Sequence, residues 1–308
     1  MGAGTFVHDA LFDADRAEYV AGTRPFVETA LAAGEPVLVA VPGPNLDVLR
    51  TALGARAARR VTFRDMTHAG RNPGRIIPWV LRAFLDEHPD RPVRIIGEPI
   101  WAGRSSLEYP ACVQHEALIN LAFRGVEATI LCPYDTARLD PRMLFDATQT
   151  HPTVIERYDR RPSDVYTAPE AVVAFFNRAF PEPTPKAATL SFTVGELLNV
   201  RQFVARHAGR AGLTATRVAD LQIAVNEIAT NSVKHGGGRG TVRVWQEHDS
   251  IVCEVRDAGH ITDPLVGRVP PLHSSDCGRG LLMVNYLCDL VRIYSTPEGT
   301  AVRVHMRF

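Results

Sequence analysis

The sequence predicts an α/β protein whose first half folds as a doubly wound, mostly parallel sheet covered by helices on both faces. A continuous apolar run, of the kind that a strand buried on both faces requires, occurs at residues 36–41, and further strand-like segments follow at 93–97 and 128–132. Segments with helical spacing stand between them, so strands and helices alternate along the chain. A chain of 308 residues is long enough for two domains with cores of ordinary size.

The elements of the first half follow in order from these patterns. In such sheets ligands collect at the carboxyl ends of the strands, so the polar and aromatic residues that follow each strand are candidates for a ligand site. The predicted helices are 21–33, 45–53, 76–88, 109–124 and 141–148, and the predicted strands are 36–41, 61–63, 93–97, 128–132 and 154–158.

The middle of the chain changes character. A helix is predicted at 169–180, and the proline-rich residues 181–186 after it read as an extended linker. The sequence therefore divides into a first domain, a connecting segment and a second domain. These are residues 1–150, 151–188 and 189–308.

The second domain begins at Thr189, with a strand at 190–194 and a helix at 199–208. A longer helix follows at 216–235, where apolar residues recur at a spacing of three or four and three glycines come directly after. Strands are then expected at 241–246 and 251–256, a turn-rich segment at 260–277, a helix at 280–288 and closing strands at 290–295 and 300–308.

Helix 216–235 carries a second line of side chains beside its apolar stripe. Glu227, Asn231 and His235 lie four residues apart, so they stack along one edge of the helix. A carboxylate and an amide that border an apolar face are half buried, where a base and a metal ligand are useful. A solvated helix edge is the alternative interpretation of these three residues.

Two downstream features add candidate ligand-binding groups. Asp257 and Gly259 stand where a strand gives way to a loop. Gly278 and Gly280 open the next helix, and glycines there let backbone N–H groups and the positive end of the helix dipole approach a phosphate.

This ordered set resembles the motifs of the GHKL ATP-binding domain, also called the Bergerat or HATPase fold, which histidine kinases, gyrase-type ATPases and anti-sigma-factor serine kinases share. Glu227 and Asn231 match its Glu-x-x-x-Asn motif, Asp257 and Gly259 its Asp-x-Gly-x-Gly, and 278–281 its Gly-x-Gly-Leu. The resemblance implies an α+β sandwich for the second domain, with ATP and Mg²⁺ as its ligands.

The resemblance also implies roles for these residues. Asn231 holds Mg²⁺ against the phosphates, Glu227 is the general base, Asp257 accepts a hydrogen bond from the adenine amino group, and the glycines let a phosphate lid close. Ile261 departs from the pattern, because it stands where the family has its second glycine. The implied nucleotide-binding residues are Asn231, Lys234, His235, Asp257, Gly259, Gly278, Arg279, Gly280 and Leu281.

The residues before this domain indicate which kind of GHKL protein it resembles. A sensor histidine kinase carries a phosphoacceptor histidine in a helical hairpin there, whereas this chain has the proline-rich segment, and His207 belongs to a helix of the domain itself. The domain is thus similar to the anti-sigma-factor serine kinases. Glu227 then takes the proton from a partner's serine or threonine, and Arg279 or Lys234 offsets charge in the transition state. The expected partners are a sigma factor or an anti-sigma-factor antagonist, and the antagonist is the expected phosphoacceptor.

Two alternatives stay open at this point. One is a non-catalytic module in which nucleotide only sets the affinity for a partner, which the Ile261 departure favours. The other is an atypical histidine kinase with His115 or His151 as acceptor, although neither histidine lies in an acceptor-like hairpin.

The first 150 residues resemble the MEDS sensory domain of the DcmR type. The similar segments are HisAspAlaLeuPhe at 8–12, GlyGluProValLeuValAla at 34–40, GlyGluProIleTrp at 97–101 and HisGluAlaLeuIleAsn at 115–120. The resemblance implies that this domain senses an unidentified small molecule. Scaffold contacts, or a metal site from His8, His115 and a carboxylate, are alternatives for these residues. The expected pocket residues are His8, Glu98, Trp101, His115 and Tyr134.

Composition narrows the class of protein. Lys plus Arg equals Asp plus Glu at 34 each, so no basic field predicts direct binding to nucleic acid or to a membrane. The five cysteines are scattered without a Cys-x-x-Cys pair, which indicates reduced thiols. Neither a signal segment nor a membrane-spanning run is evident, so we expect a cytoplasmic protein. Relatives of the ATP domain commonly pair, so a homodimer is a further expectation.

Overall fold

The computed structural model describes residues 5–157, 159–184, 186–270 and 279–308. The chain forms two compact units, Met1–Phe176 and Asn177–Phe308, here called unit 1 and unit 2. None of the described helices combines the length and the hydropathy that crossing a bilayer requires.

Unit 1 is built on one sheet. Its strands are β1 (Phe6–Asp13), β2 (Val37–Val41), β3 (Val61–Asp65), β4 (Val93–Gly97), β5 (Ala128–Asp135), β6 (Thr153–Glu156) and β7 (Asp159–Pro162). Its α-helices are α1 (Arg16–Ala32), α2 (Gly43–Ala58), α3 (Met66–Ala69), α4 (Ala83–Asp86), α5 (Tyr109–Ala122), α6 (Pro141–Thr150) and α7 (Pro169–Phe176). The strand order is β3-β2-β4-β5-β1-β6-β7, and all neighbours are parallel except β6 and β7. The predicted α/β class with a mostly parallel sheet is confirmed.

Strand β1 was missed by the sequence patterns, as were the short elements α3 and β7. It lies between β5 and β6, so it is flanked on both sides by parallel strands. His8 and Asp9 interrupt its apolar pattern, yet both are buried. Asp9 accepts two hydrogen bonds of 3.0 Å from the Arg160 guanidinium, and this pairing compensates the burial of its charge. Hydropathy patterns count such residues as exposed, because a sequence pattern does not show the groups that pair with them.

Unit 2 pairs an antiparallel sheet with helices. The strands are β8 (Ala188–Thr193), β9 (Arg239–Glu247), β10 (Ser250–Asp257), β11 (Leu290–Thr296) and β12 (Gly299–Arg307), in the order β11-β12-β10-β9-β8. The helices are α8 (Leu197–Arg210), α9 (Ala215–His235) and α10 (Arg279–Leu287). Their apolar sides share one core with the sheet, in which Leu221, Val225 and Ile228 of α9 pack with Val242 and Val255. The predicted α+β architecture is confirmed.

Helix α9 is fixed at both ends. The Thr214 side chain accepts a hydrogen bond from the Arg217 N–H, and the chain leaves the helix at Gly236. The buried residues of α9 include Leu221, Val225 and Ile228, the apolar stripe that its spacing predicts. The stripe orients the helix, and its polar edge is thereby placed at the border of the core.

The helix predicted at 169–180 ends earlier, at Phe176, and that part of the prediction is wrong. Asn177 instead bonds the backbone of Ser295, donating to its carbonyl oxygen at 2.7 Å and accepting from its N–H at 3.1 Å. The guanidinium carbon of Arg303 lies over the ring of Phe180, 4.7 Å from the ring centroid. Tertiary contacts outweigh the local helical pattern. Residues 177–184, here called the strap, form neither helix nor strand and are bonded to the rest of unit 2.

The strap covers a charged part of the unit 2 sheet. The Glu254 carboxylate is inaccessible to solvent and bonds Arg303 at 2.7 and 3.0 Å and Arg256 at 2.6 Å. Glu182 of the strap bonds Arg243 and Arg256, and Arg303 also donates to the carbonyl oxygen of Pro181 at 2.9 Å. Arginines of the sheet therefore join the strap to the buried carboxylate.

Candidate functional site

The carboxylate of Asp257, at the end of β10, is held in a fixed orientation. Ser232 of α9 donates to its Oδ2 at 2.6 Å, and the Gly259 N–H donates to its Oδ1 at 2.7 Å. A Cβ at Gly236 would overlap the carboxyl carbon, so this contact between helix end and strand end requires glycine. Carboxylate oxygens have further acceptor capacity, so Asp257 can also accept from a bound ligand.

The loop that follows is tied to strands β11 and β12. Thr300 donates its hydroxyl proton to the Gly259 carbonyl oxygen at 2.8 Å, so Ser295 is the donor in the 2.7 Å bond between the Ser295 and Thr300 hydroxyls. The Ser295 oxygen accepts in turn from the Ile261 N–H at 2.8 Å. A Cβ at Gly259 would lie 2.7 Å from the His235 carbonyl oxygen, so the loop needs glycine there as well.

Ile261, the departure from the family motif, sits in this loop without backbone strain. Among the described non-glycine residues, positive φ angles occur only at Asp90, Arg157 and His248. Position 261 therefore does not require the conformational freedom of glycine. What the isoleucine adds is a side chain on the wall of the neighbouring cavity.

That cavity has a volume of about 290 Å³, near the lower end of the range for small-molecule sites. It combines polar groups with apolar walls, as such sites do. Its lining residues are Ile228, Asn231, His235, Gly236, Asp257, Gly259, His260, Ile261, Thr262, Asp263, Val266, Leu281, Thr300 and Val302. Of the residues expected to bind nucleotide, the cavity thus brings together Asn231, His235, Asp257, Gly259 and Leu281.

The other expected residues lie around it. Glu227 is one turn before Asn231 on α9, and its Oε2 would lie 2.7 Å from a Cβ at Gly280, so its carboxylate rests against the start of α10. Lys234 and Arg279 are exposed and do not line the cavity. Gly278 lies outside the described residues.

The residues present fit ATP and Mg²⁺. The fixed Asp257 carboxylate suits the amino group of a base, and the side chains of Ile228, Val266 and Leu281 offer apolar walls to its faces. The amide oxygen of Asn231 is a hard ligand of the type that Mg²⁺ takes. The histidine kinase-like fold generally implies this ligand pair.

A second polar cluster is buried in unit 1. His8, Glu116, Cys132 and His151 each present one atom of metal-ligand type, and these four atoms lie within 4.8 Å of one another. Glu116 Oε2 is 3.4 Å from His8 Nε2, 3.7 Å from His151 Nε2 and 3.8 Å from Cys132 Sγ. Tyr134 donates its hydroxyl proton to the other oxygen of Glu116 at 2.8 Å.

Burial controls the protonation of this cluster. Removal from water lowers the pKa of His8 to about 4 and that of His151 to about 3, although the hydrogen bond with Asn120 partly offsets this for His8. The same effect raises the pKa of Glu116 and of the Cys132 thiol. Both imidazoles are therefore neutral at pH 7, with lone pairs available.

The expected sensory-pocket residues make different sets of contacts in the structure. The contacts of Glu116 join His8 with Tyr134. Glu98 accepts a hydrogen bond from Asn45 to its Oε2 at 2.7 Å, and burial raises its pKa to about 8. The ring of Trp101 lies 3.9 Å from the guanidinium carbon of Arg104. His115 is buried in α5 and is not one of the four clustered ligand residues.

Three members of the cluster were not predicted as pocket residues: Glu116, Cys132 and His151. A signal becomes visible once β1 is recognised as a strand. Ala10 pairs with Cys132 in the parallel ladder, so Cys132 is on the same side of the sheet as His8, two residues before Ala10. Glu116 and Asn120, four residues apart on α5, both contact His8.

Two family profiles match the chain. Residues 7–152 match the MEDS domain, the methanogen/methylotroph DcmR sensory domain, and residues 190–306 match the histidine kinase-like ATPase domain. Both resemblances are thereby confirmed.

Similar proteins are found among anti-sigma factors and among solved structures. Two proteins named anti-sigma F factor, one from a Thermoanaerobacter species and one from Thermoanaerobacter pseudethanolicus, are each 29% identical over 114 residues, covering 34% of this chain and 80% of their own length. A crystal structure of the RsbU and RsbW domains of a Mycobacterium tuberculosis protein is 22% identical, with a TM-score of 0.30. It aligns with 41% of this chain, and the chain spans only 33% of that structure.

Proposed function

We propose that this chain, which joins a MEDS domain to a histidine kinase-like ATPase domain, binds ATP·Mg²⁺ and acts as an anti-sigma-factor-type serine/threonine kinase under the control of its N-terminal domain. One observation carries the proposal. The cavity beside α9 places Asn231 with a clamped carboxylate, Asp257, and with apolar walls. The similarity to anti-sigma F factors supports the kinase type.

The chain's own residues bind and orient the nucleotide. Asp257 accepts from the base, and Ser232 and Gly259 keep its oxygens from turning away. The amide oxygen of Asn231 holds the cation. When bound, Mg²⁺ neutralises phosphate charge during phosphoryl transfer.

Glu227 moves the proton in this proposal. It accepts the proton of a serine or threonine hydroxyl on an anti-sigma-factor antagonist. A sigma factor is the other partner that the domain engages. The start of α10, against which its carboxylate rests, fixes its position. Arg279 and Lys234 are exposed, so either cation is accessible to a partner or a phosphate. We assign these roles to a domain of residues 189–308, ligand sensing to residues 1–150 and the connection between them to residues 151–188. We further propose that the chain forms a homodimer.

Control by the N-terminal domain has a physical route through the strap. Asn177 directly follows the last residue of α7 and bonds both backbone groups of Ser295. The Ser295 hydroxyl holds the Ile261 N–H and, through Thr300, the Gly259 carbonyl oxygen. A change in α7 therefore reaches the loop beside the nucleotide through consecutive hydrogen bonds. The same loop forms one wall of the cavity.

Titration calorimetry with a nonhydrolysable ATP analogue tests the nucleotide site. We expect Mg²⁺-dependent binding by the full chain, lost in Asn231→Ala and retained in Asn199→Ala, a matched control at an exposed position of α8. Absence of binding by the unaltered chain, or equal affinity in Asn231→Ala, contradicts the proposed site.

Transfer of labelled γ-phosphate tests the kinase. We expect label on serine or threonine of an antagonist protein, abolished in Glu227→Ala with nucleotide binding intact, and unchanged in Asp220→Asn, which alters another carboxylate of α9. Retained transfer in Glu227→Ala removes the assigned base. Binding without any release of phosphate, to protein or to water, identifies a non-catalytic module instead, the alternative that the Ile261 side chain in the cavity wall favours.

A further inference from the structure

The buried cluster in unit 1 has the composition and the spacing of a metal centre. Two imidazole nitrogens, one thiol sulfur and one carboxylate oxygen converge from four separate parts of the fold: β1, α5, β5 and the residue after α6. Burial of four such groups without a compensating ligand is costly, because each loses its hydration. We propose that His8, Glu116, Cys132 and His151 bind a divalent first-row transition metal ion, with Zn²⁺ as the best match.

The distances between the ligand atoms agree with tetrahedral coordination. Bonds of about 2.0–2.1 Å to nitrogen, about 2.0–2.2 Å to oxygen and about 2.3 Å to sulfur place tetrahedral ligand atoms roughly 3.3–3.6 Å apart. The separations around Glu116 Oε2 are 3.4, 3.7 and 3.8 Å, and Cys132 Sγ is 3.5 Å from His8 Nε2. These four separations lie within about 0.5 Å of the tetrahedral values. All four ligand atoms lie within 4.8 Å of one another, so side-chain adjustment toward the ion completes the shell.

Hydrogen bonds outside the cluster fix which imidazole nitrogen is free to coordinate. His8 Nδ1 lies 3.0 Å from Asn120 Oδ1, and the Asn120 amide is oriented because its nitrogen donates to the Thr150 carbonyl oxygen at 2.8 Å. An amide oxygen only accepts, so His8 carries its proton on Nδ1 and its lone pair on Nε2.

The same argument applies to His151. Its Nδ1 lies 2.8 Å from the Ala147 carbonyl oxygen and must donate to it, which leaves Nε2 as the acceptor. Within the described residues, this Nε2 has no hydrogen-bond partner although it is buried. A metal ion satisfies this nitrogen and the neighbouring carboxylate together.

The carboxylate is also held from outside the cluster. Tyr134 donates to Glu116 Oε1 at 2.8 Å and turns Oε2 toward the histidines. Partners of this kind, which orient a metal ligand through its far atom, accompany protein metal sites and tune their affinity. Asn120, the Ala147 carbonyl group and Tyr134 thus provide this outer support for three of the four ligands.

The ligand set selects the class of metal. A thiolate with two imidazoles suits Zn²⁺ and its transition-metal neighbours and disfavours Mg²⁺ and Ca²⁺, which take oxygen ligands. Four protein ligands close a tetrahedral shell. The ion therefore cross-links β1, α5 and β5. Unit 1 can thus sense the metal ion itself, through whether the site is occupied.

The test uses the full chain, stripped with a chelator and titrated with Co²⁺ as a spectroscopic probe and with Zn²⁺ as competitor. We expect one Co²⁺ per chain, a thiolate-to-Co²⁺ charge-transfer band and tetrahedral d–d bands, all displaced by Zn²⁺. Cys132→Ser removes the charge-transfer band, whereas Cys112→Ser, at another buried cysteine of unit 1, retains it. Less than stoichiometric binding by the unaltered chain, or a band that survives Cys132→Ser, overturns the proposal.

Tyr134→Phe keeps all four ligands and therefore tests the site without removing it. Loss of the hydroxyl that orients Glu116 is expected to weaken Zn²⁺ affinity about 10–100-fold at unchanged stoichiometry. Far-UV circular dichroism of each variant shows whether the chain is folded. A folded Tyr134→Phe chain with unchanged affinity contradicts the assigned geometry, as does a cluster that stays metal-free at stoichiometric Zn²⁺.

Discussion

Asn177 offers the most direct test of the strap, because one side chain bonds both backbone groups of Ser295, a residue only 9% exposed. Asn177→Ala removes two hydrogen bonds at once. Each contributes about 1 kcal/mol net, so the expected local loss of stability is about 2 kcal/mol. Because about 1.36 kcal/mol corresponds to a factor of ten, amide protection around Ser295 is expected to fall roughly 30-fold.

Hydrogen exchange measured by mass spectrometry resolves this effect by segment. We expect faster exchange in residues 293–296 and in the loop 258–263, which the Ser295 hydroxyl holds, and unchanged exchange in α5 of unit 1. Asn199→Ala is the matched control, since its exposed side chain makes no such bonds in the described structure. Unchanged protection of β11 in Asn177→Ala, or an equal effect in the control, would refute the assignment of the strap.

Three further predictions concern single side chains. Burial raises the pKa of Glu98 to about 8 from an ordinary 4.5, so between these pH values the native state keeps a proton that the unfolded chain releases. The free energy of unfolding therefore falls as the pH rises from 4.5 to about 8, and urea titrations of Glu98→Gln should lack this fall. Gly280→Ala places a methyl group 2.7 Å from Glu227 Oε2 and should reduce phosphate transfer but not nucleotide binding, whereas Gly209→Ala, where the added atom meets open space, should leave transfer unchanged. Glu254→Gln leaves the buried Arg303 guanidinium without its anion and should lower the free energy of unfolding by about 3–5 kcal/mol, in contrast to a much smaller effect of Glu182→Gln at the exposed end of the same network.

The second half of the chain was more predictable than the first because its signals are local. Asn231 and His235 share one helix edge, so periodicity alone places them side by side, and both line the cavity. The clamp on Asp257 was beyond prediction, since it depends on the approach of the α9 end to the end of β10. Turn signals predicted the end of that strand but not the overlap that makes glycine necessary at 236.

The cluster in unit 1 shows why long-range sites escape sequence patterns. His8 and His151 stand at opposite ends of the unit in sequence, yet their ring centroids are 4.0 Å apart. Recognising the pair requires knowing that β1 and β6 are neighbours in the sheet. Strand β1 was missed because His8 interrupts its apolar pattern. His8, a member of the cluster, thus made it harder to recognise β1, the strand that positions it.

The strap has a consequence for how modules of this kind can be exchanged. A fragment that starts at β8 would lose Phe180 and Pro181, and with them two contacts of the Arg303 guanidinium. Cutting before Asn177 keeps the covering of the sheet and the bonds to Ser295 with the ATPase unit. Recombination, natural or engineered, that joins unit 2 to a different N-terminal domain should therefore preserve residues 177–184 as part of unit 2. The new domain then attaches to a segment that is already bonded to Ser295, beside the loop at 258–263.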